Sequence, residues 1–599
     1  MGTFTRSPLK QLPGKRSAIP ARWPAARSRL RRSLAVAGVL IPLMAVVLIV
    51  WRWHVRREPF DLLIVNAAIY DGTGRPPFQG SLGVRGNRIA KVWRGVLLMM
   101  PRAARVINAD GLALSPGFID THSHADFSIG IGSSPIEADN FVGQGVTTMI
   151  VGNCGRSSKD LGAFGRMVDR RKCNVNIASL VGLNTIRTMV MKESTAPASP
   201  VEINSMCALV RQQMEDGALG ASTGYAYVPG RFASKEEIAK QLGVVAKYGG
   251  IHTSHIRDEG SGVLASVDEA VAASRAARLP VLISHLKITG RSNCSKYPAL
   301  LARLRKALKP SADVRVFYDQ YPYNASSTDL EVYVSDRFLA LNHAERDRAV
   351  RLDSKRLKAE ITENLRKDGF ADLGFAQVAS FSPRRDWQGL TIPEIDSREH
   401  PGRLSSLDSQ LNVMLQMIEK GGAQMVYHTI CSDVTLSIQR DLEPMVGSDS
   451  AIRYDDGTTL PHPRGWGTFP RYLSMFAIKK QAISVATAIH RMTDLAAQVF
   501  GLRLRGRIET GYYADLVLFD PSIVRDRATY RAPFLTPLGI RYVAVNGELV
   551  LEARSGGASG EVDIVPTGKY PGHFLRRPPR LRRNQHGIVP PEAGQESYF

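Results

Sequence analysis

Cysteine is scarce in this chain: five residues in 599, at Cys154, Cys173, Cys207, Cys294 and Cys431. An odd, widely spaced set excludes a disulfide-framework protein. Apart from Cys154, the cysteines are expected as buried thiols, one pairing remaining open in an oxidising compartment. Acidic residues are also short, 55 against 78 Lys and Arg, which leaves a net charge of +23. The surplus gathers at the chain ends: Arg6, Lys10, Lys15, Arg16, Arg22, Arg27, Arg29, Arg31 and Arg32 precede the first acid, Glu58, and Arg576, Arg577, Arg580, Arg582 and Arg583 crowd the other end. No recognition motif or interleaved aromatic accompanies them, so nucleic acid is not expected as a partner and anionic lipid head groups are the economical one. Nor is there an internal repeat beyond an alternation of strand-like and helix-like stretches.

What is present is the composition of a globular enzyme, 44% apolar and 22% charged, in a chain too long for a barrel alone. Eight short apolar runs stand out: Pro116 to Asp120, Gly145 to Val151, Asn176 to Gly182, Gly217 to Gly224, Ile251 to His255, Pro280 to His285, Val314 to Asp319 and Met445 to Asp449. Most are separated by stretches with apolar residues recurring at three and four, such as Lys235 to Tyr248 and Gly262 to Ala277. Strand and helix alternating eight times predict a (β/α)₈ TIM-type barrel over 111–505, a fold whose catalytic residues stand at the C-terminal ends of the strands.

Five of the run ends carry metal chemistry. His122 and His124 lie at i, i+2 on an extended strand and face one way, so both imidazoles reach one cation. A lone His-x-His is common without metal, but Cys154 follows the second run between Gly152 and Gly155, and its thiolate can bridge two zinc ions. His255, His285 and Asp449 end three further runs. Core packing does not account for four histidines, a cysteine and an aspartate all at strand C-termini.

With these stretches in hand, residues 61–551 resemble the metal-dependent amidohydrolase superfamily, in its D-aminoacylase (N-acyl-D-amino-acid deacylase) branch. The resemblance rests on Asp61 to Asn66 with Asp71 to Gly74, Pro116 to His124, Val151 to Gly155, Ser222 to Tyr227, His255 to Glu259, Ser284 to Lys287, Tyr321 to Thr328, Gly447 to Asp449, His462 to Arg464 and Gly511 to Leu516. Asn153-Cys154-Gly155 discriminates, because dihydroorotase-like and hydantoinase-like relatives bridge their metals with a carboxylated lysine elsewhere. The resemblance implies a tight zinc site of Cys154, His255 and His285, a weaker one of His122, His124 and the shared Cys154, and Asp449 as the catalytic proton carrier. It implies a substrate carboxylate held among Lys287, Arg464, Tyr321, Ser327 and Tyr227, the two cations suiting an anion by charge and by the arginine's fork. Tyrosines at strand ends often only plug a barrel mouth.

The chain departs from the family pattern in two places. Gly182 is followed by Leu183 and Asn184 where a histidine is common, and Asp449 is followed by Ser450 and a long segment before His462. Both loops border the expected substrate position. Metal chemistry is therefore better supported than substrate identity. The alternatives are another linear or cyclic amide, or a silent barrel that binds an amino-acid derivative.

The flanks, 60–110 and 506–555, alternate apolar residues with turn signals and are expected to meet in one small β-sandwich, with a basic extended tail over 556–599. At the other end, Leu34 to Trp51 is a run of 18 uncharged, mostly apolar residues. It is long enough to span a bilayer, so 34–53 is expected as an anchor behind a basic cytoplasmic segment 1–33, with the hydrolase outside the inner membrane. Arg31-Arg32-Ser33-Leu34 resembles a twin-arginine start, so secretion after signal cleavage is the competing reading. The run offers no convincing small-x-small cleavage site.

Overall fold

The computed structural model describes residue 44 and residues 59–577, apart from 131, 193, 308–312 and 556–561. Segments 1–33 and 34–53 lie outside the described residues, Met44 excepted, and among those described no helix is long and apolar enough to cross a membrane. The chain from Phe60 onward forms a unit of its own.

The amino-terminal flank supplies β1 (Phe60–Ile69), β2 (Phe78–Arg85), β3 (Arg88–Arg94), β4 (Ala103–Asn108) and β5 (Ala113–Pro116). The barrel strands are β6 (Phe118–Asp120), β7 (Val146–Val151), β8 (Asn176–Ser179) with its continuation β9 (Val181–Gly182), β10 (Gly220–Gly224), β11 (Ile251–His255), β12 (Val281–Ile283) and β13 (Val316–Gln320). Next come β14 (Ser326–Asp329), β15 (Ala376–Ser380) and β16 (Gln424–Tyr427), then the last barrel strand β17 (Met445–Val446), and finally β18 (Leu516–Phe519), β19 (Ile540–Val545), β20 (Glu548–Ser555) and β21 (Val562–Pro566).

All eight expected runs are parallel barrel strands. They pair as β6-β7-β8 and as β9-β10-β11-β12-β13-β17, and the Thr121 amide closes the ring on the Val446 carbonyl at 3.2 Å. Every residue of β7, β10 and β11 is buried, as a sheet covered on both faces requires. The covering helices start where the sequence caps them. Ser199 and Glu202 form a reciprocal box ahead of Pro200–Glu215, and Ser234 caps Lys235–Lys247.

The two flanks join in one nine-stranded sheet, β5 pairing antiparallel with β18. Leu62, Ile64, Ile69, Leu82, Leu516 and Leu518 share its core. The sheet runs past the expected boundary at 556, because β21 pairs with β20. Beyond it, the Gly572 and Leu575 amides bond to the Cys173 and Ile177 carbonyls, each at 2.7 Å, and Phe574 is buried against Phe164. The described part of the expected tail is therefore docked beneath the barrel.

Two further features correct the sequence reading. Residues 321–431 are not simple barrel: β14, β16 and β15 form an antiparallel sheet, with helices that include Ser354–Asp368 and Leu407–Glu419 and a core of their own around Phe338, Ile361, Trp387 and Met414. This insertion hangs between β13 and β17. Cys294 and Cys431 form a disulfide, so only Cys173 is a buried thiol as expected, while Cys207 is partly exposed. The physical reason is the insertion itself, which returns the chain after β16 beside the loop that follows β12: the Gly290 amide bonds to the Thr429 carbonyl at 2.9 Å.

Candidate metal and substrate site

Cys154 stands at the centre of the barrel mouth, buried, with three imidazoles turned toward its sulfur. His122 Nε2 lies 3.2 Å from Sγ, His255 Nδ1 3.4 Å and His285 Nε2 3.7 Å. Ligands at the usual zinc–sulfur and zinc–nitrogen lengths around a tetrahedral ion stand roughly 3.5 Å apart. The spacing therefore fits a shared cation. His122, Cys154, His285 and Asp449 offer ligand atoms within 4.8 Å of one another, as do His255, Glu259 and His285. The Nδ1 atom of His122 is buried without a hydrogen bond, and a donor set of imidazole, thiolate and carboxylate suits zinc.

The backbone holds this cluster in sparsely populated conformations. Cys154, His285 and Asp449 have φ of 52°, 36° and 53°, the left-handed region that side chains other than glycine seldom occupy. Gly155 makes the turn at Cys154 possible: its φ is 76°, and a Cβ there would stand 2.2 Å from Asn184 Oδ1. Asn184, which occupies the departure after Gly182, donates to the Gly224 carbonyl at 3.0 Å and so ties the cysteine turn to the end of β10.

Asp449 touches both halves of the site. Its carboxylate lies 3.1 Å from His124 Nε2, 3.5 Å from His122 Nε2 and 2.8 Å from Arg464 Nη1. Burial pushes its pKa up, but the Arg464 guanidinium and the hydrogen bond with His124 outweigh burial and hold it well below the usual carboxylate range. Burial drives His122, His255 and His285 the other way, well below ordinary histidine, so their rings are neutral and carry the lone pair a metal needs. Burial also raises the Cys154 thiol well above its usual value, so cation binding must displace its proton.

The expected substrate residues line a cavity of about 1200 Å³ between the barrel mouth and the insertion, all but Arg464 directly on its wall. Tyr321, almost fully buried, lies under both cations, its ring 5.4 Å from Lys287 Nζ and 5.0 Å from the Arg464 guanidinium. Tyr227 packs edge-on against His255 and its hydroxyl meets Thr328 at 3.2 Å. Ser327 contributes its carbonyl, 3.3 Å from Arg464 Nη2. Neither cation is idle, since Arg464 pairs with Asp449 and Lys287 with Glu259. His124 faces Asp449 and belongs to neither ligand cluster among the described residues.

This arrangement settles the family when set beside known proteins. The sequence model of the amidohydrolase family matches residues 105–551. The chain belongs to the amidohydrolase family. Its relatives within it include N-acyl-D-amino-acid deacylases. The chain is 31% identical to the N-acyl-D-glutamate deacylase of Alcaligenes xylosoxydans xylosoxydans over 87% of its length and 97% of that enzyme's. It is also 31% identical to the D-aminoacylase of the same organism, over 87% and 98%. The crystal structure of the N-acyl-D-glutamate deacylase of Bordetella bronchiseptica, complexed with zinc and a phosphonate inhibitor, superposes with a TM-score of 0.70 at 29% identity, covering 87% of this chain and all of that one.

Three carboxylates of this amidohydrolase site carried no role in the sequence reading. Asp120 Oδ1 accepts the His122 and Ser448 amides at 3.1 and 2.9 Å, joining the two ligand loops, and burial pushes its pKa up to about 7. Asp319 accepts the Thr121 hydroxyl at 3.0 Å and the His285 amide, and lies 3.8 Å from His122 Nδ1. Glu259 lies beside His285 and Lys287. A signal existed for each: Asp319 ends a barrel run as the ligands do, Asp120 opens the His-x-His motif, and Glu259 stands four residues after His255.

Proposed function

We propose that this amidohydrolase cleaves N-acyl-D-amino acids to a carboxylate and a D-amino acid, with zinc as its cofactor. The observation that carries the proposal is the ring of three imidazole nitrogens around Cys154 Sγ, with the ionised Asp449 against the same imidazoles. Cys154, His255 and His285 would hold the tight ion, and His122 and His124 with Cys154 a weaker second one. Bound zinc supplies acidified water and polarises an amide carbonyl. Asp449, kept ionised by Arg464, accepts a proton from the attacking water and delivers it to the departing amine nitrogen. Lys287 and Arg464 draw the substrate carboxylate down to Tyr321, and the insertion roofs the cavity. Hydrolysis of a panel of N-acetyl-D- and N-acetyl-L-amino acids, by protein stripped of metal and by protein reloaded with zinc, tests this. Zinc-dependent turnover confined to D-substrates is expected; metal-independent turnover, or preference for L-substrates, would overturn it.

The location of the enzyme belongs to the same proposal. The basic segment 1–33 followed by the apolar run at 34–51 supports an uncleaved inner-membrane anchor with the hydrolase on the outer side. The Cys294–Cys431 disulfide fits an oxidising compartment.

A further inference from the structure

Glu259 presents one carboxylate oxygen to two groups that the proposed function uses differently. Oε1 lies 2.9 Å from His285 Nδ1 and 2.6 Å from Lys287 Nζ. Lys287 Nζ in turn lies 2.7 Å from the same ring nitrogen and 2.9 Å from the His285 carbonyl. A neutral imidazole carries one proton, and its position decides which nitrogen has a free lone pair. His285 turns Nε2 toward Cys154, so a metal ligand there must carry its proton on Nδ1. An ammonium 2.7 Å from Nδ1 favours the opposite tautomer, because it can only donate. It would make Nδ1 the acceptor and place the proton on Nε2, where the metal must bind.

We propose that Glu259 is a positioning residue that resolves this conflict: its carboxylate accepts the Nδ1–H of His285 and the Lys287 ammonium together, keeping His285 Nε2 free for zinc. One oxygen thus joins the metal ligand to the lysine of the carboxylate clamp. The inference rests on the proposed zinc site, and the test separates the two. Zinc affinity of the full chain, measured by competition with a chromophoric chelator, is compared for the unsubstituted protein, Glu259→Ala, Glu259→Gln and Glu259→Ala/Lys287→Met.

If the unsubstituted protein binds no zinc, the zinc site itself is wrong and the inference goes with it. If it binds, Glu259→Ala is expected to lose about 10- to 100-fold in affinity, the usual effect of removing a carboxylate behind a metal-bound histidine. Glu259→Gln should lose less, because its amide oxygen still accepts from Nδ1. The double variant should regain most of the loss, since no ammonium remains to claim the ring nitrogen. That recovery distinguishes tautomer control from a packing defect, which a second substitution in the same pocket would deepen. Unchanged affinity in Glu259→Ala, or a double variant that binds no better than the single one, would overturn the inference while leaving the zinc site standing.

Discussion

Asp449 is the residue on which chemistry and electrostatics converge. It is buried, which by itself favours the neutral acid, yet the Arg464 guanidinium and the hydrogen bond with His124 favour the anion. An anion next to the metal ligands is what a proton acceptor at neutral pH requires. Asp449→Asn preserves the side-chain volume and removes the acceptor, so zinc content should persist while kcat falls by about 10²- to 10⁴-fold, the range of a lost general acid–base. Metal analysis and steady-state kinetics on one preparation check this. Near-normal turnover would move the proton-carrying role elsewhere. The clustered histidines, Cys154 and Asp449 were legible in the bare sequence as candidate site residues, because each closes a short apolar run. Glu259, four residues after His255, gave a weaker signal, since it lies in the loop beyond β11 and its partners are reached only when the barrel closes.

At the scale of elements, the turn after β7 is the most exacting part of the barrel. Gly152, Cys154 and Gly155 all take positive φ, and Asn184 fills the space beside Gly155. Gly155→Ala would place a methyl group 2.2 Å from Asn184 Oδ1 and 2.7 Å from the Gly224 amide nitrogen, in a conformation alanine resists. The expected cost is about 1 to 3 kcal/mol of stability, the range for a residue held in such a conformation. Weaker zinc retention should accompany it, because the same turn aims Cys154. Thermal unfolding with and without added zinc measures both, and an unchanged midpoint with unchanged zinc content would contradict this role for the turn.

The barrel strands were readable because a strand covered on both faces is a short, nearly continuous apolar run. The insertion at 321–431 was not readable as separate: its helices, such as Leu407–Glu419, repeat at three and four like those of the barrel, and only the tertiary pairing of β14, β15 and β16 sets them apart. Proline, glycine and arginine made the last segment look extended. The docking of its described part depends on backbone hydrogen bonds to Cys173 and Ile177, which leave no trace in composition. The disulfide was hidden for a related reason, since its cysteines are 137 residues apart and meet only through the insertion.

For the whole molecule, the proposed location rests on charge and hydropathy and not on the barrel. A net charge of +23 with the cations gathered at both chain ends, and an apolar run of 18 residues just behind the first basic cluster, support the proposed anchor. The proposed anchor predicts that the full chain remains in the membrane fraction through carbonate and high-salt washing. A reporter fused after Phe599 should register outside the cytoplasm. Recovery of a soluble mature chain that begins beyond Trp53 would establish a cleaved signal instead.

Cys154 as a zinc ligand in a hydrolytic site is tested most directly by X-ray absorption at the zinc edge of the reloaded full chain. A sulfur scatterer at about 2.3 Å together with nitrogen at about 2.0 to 2.1 Å is predicted. In Cys154→Ser the sulfur shell should vanish, with loss of most bound zinc and of hydrolysis. A zinc environment of nitrogen and oxygen alone in the unsubstituted protein, or full activity and zinc content in Cys154→Ser, would contradict the assignment.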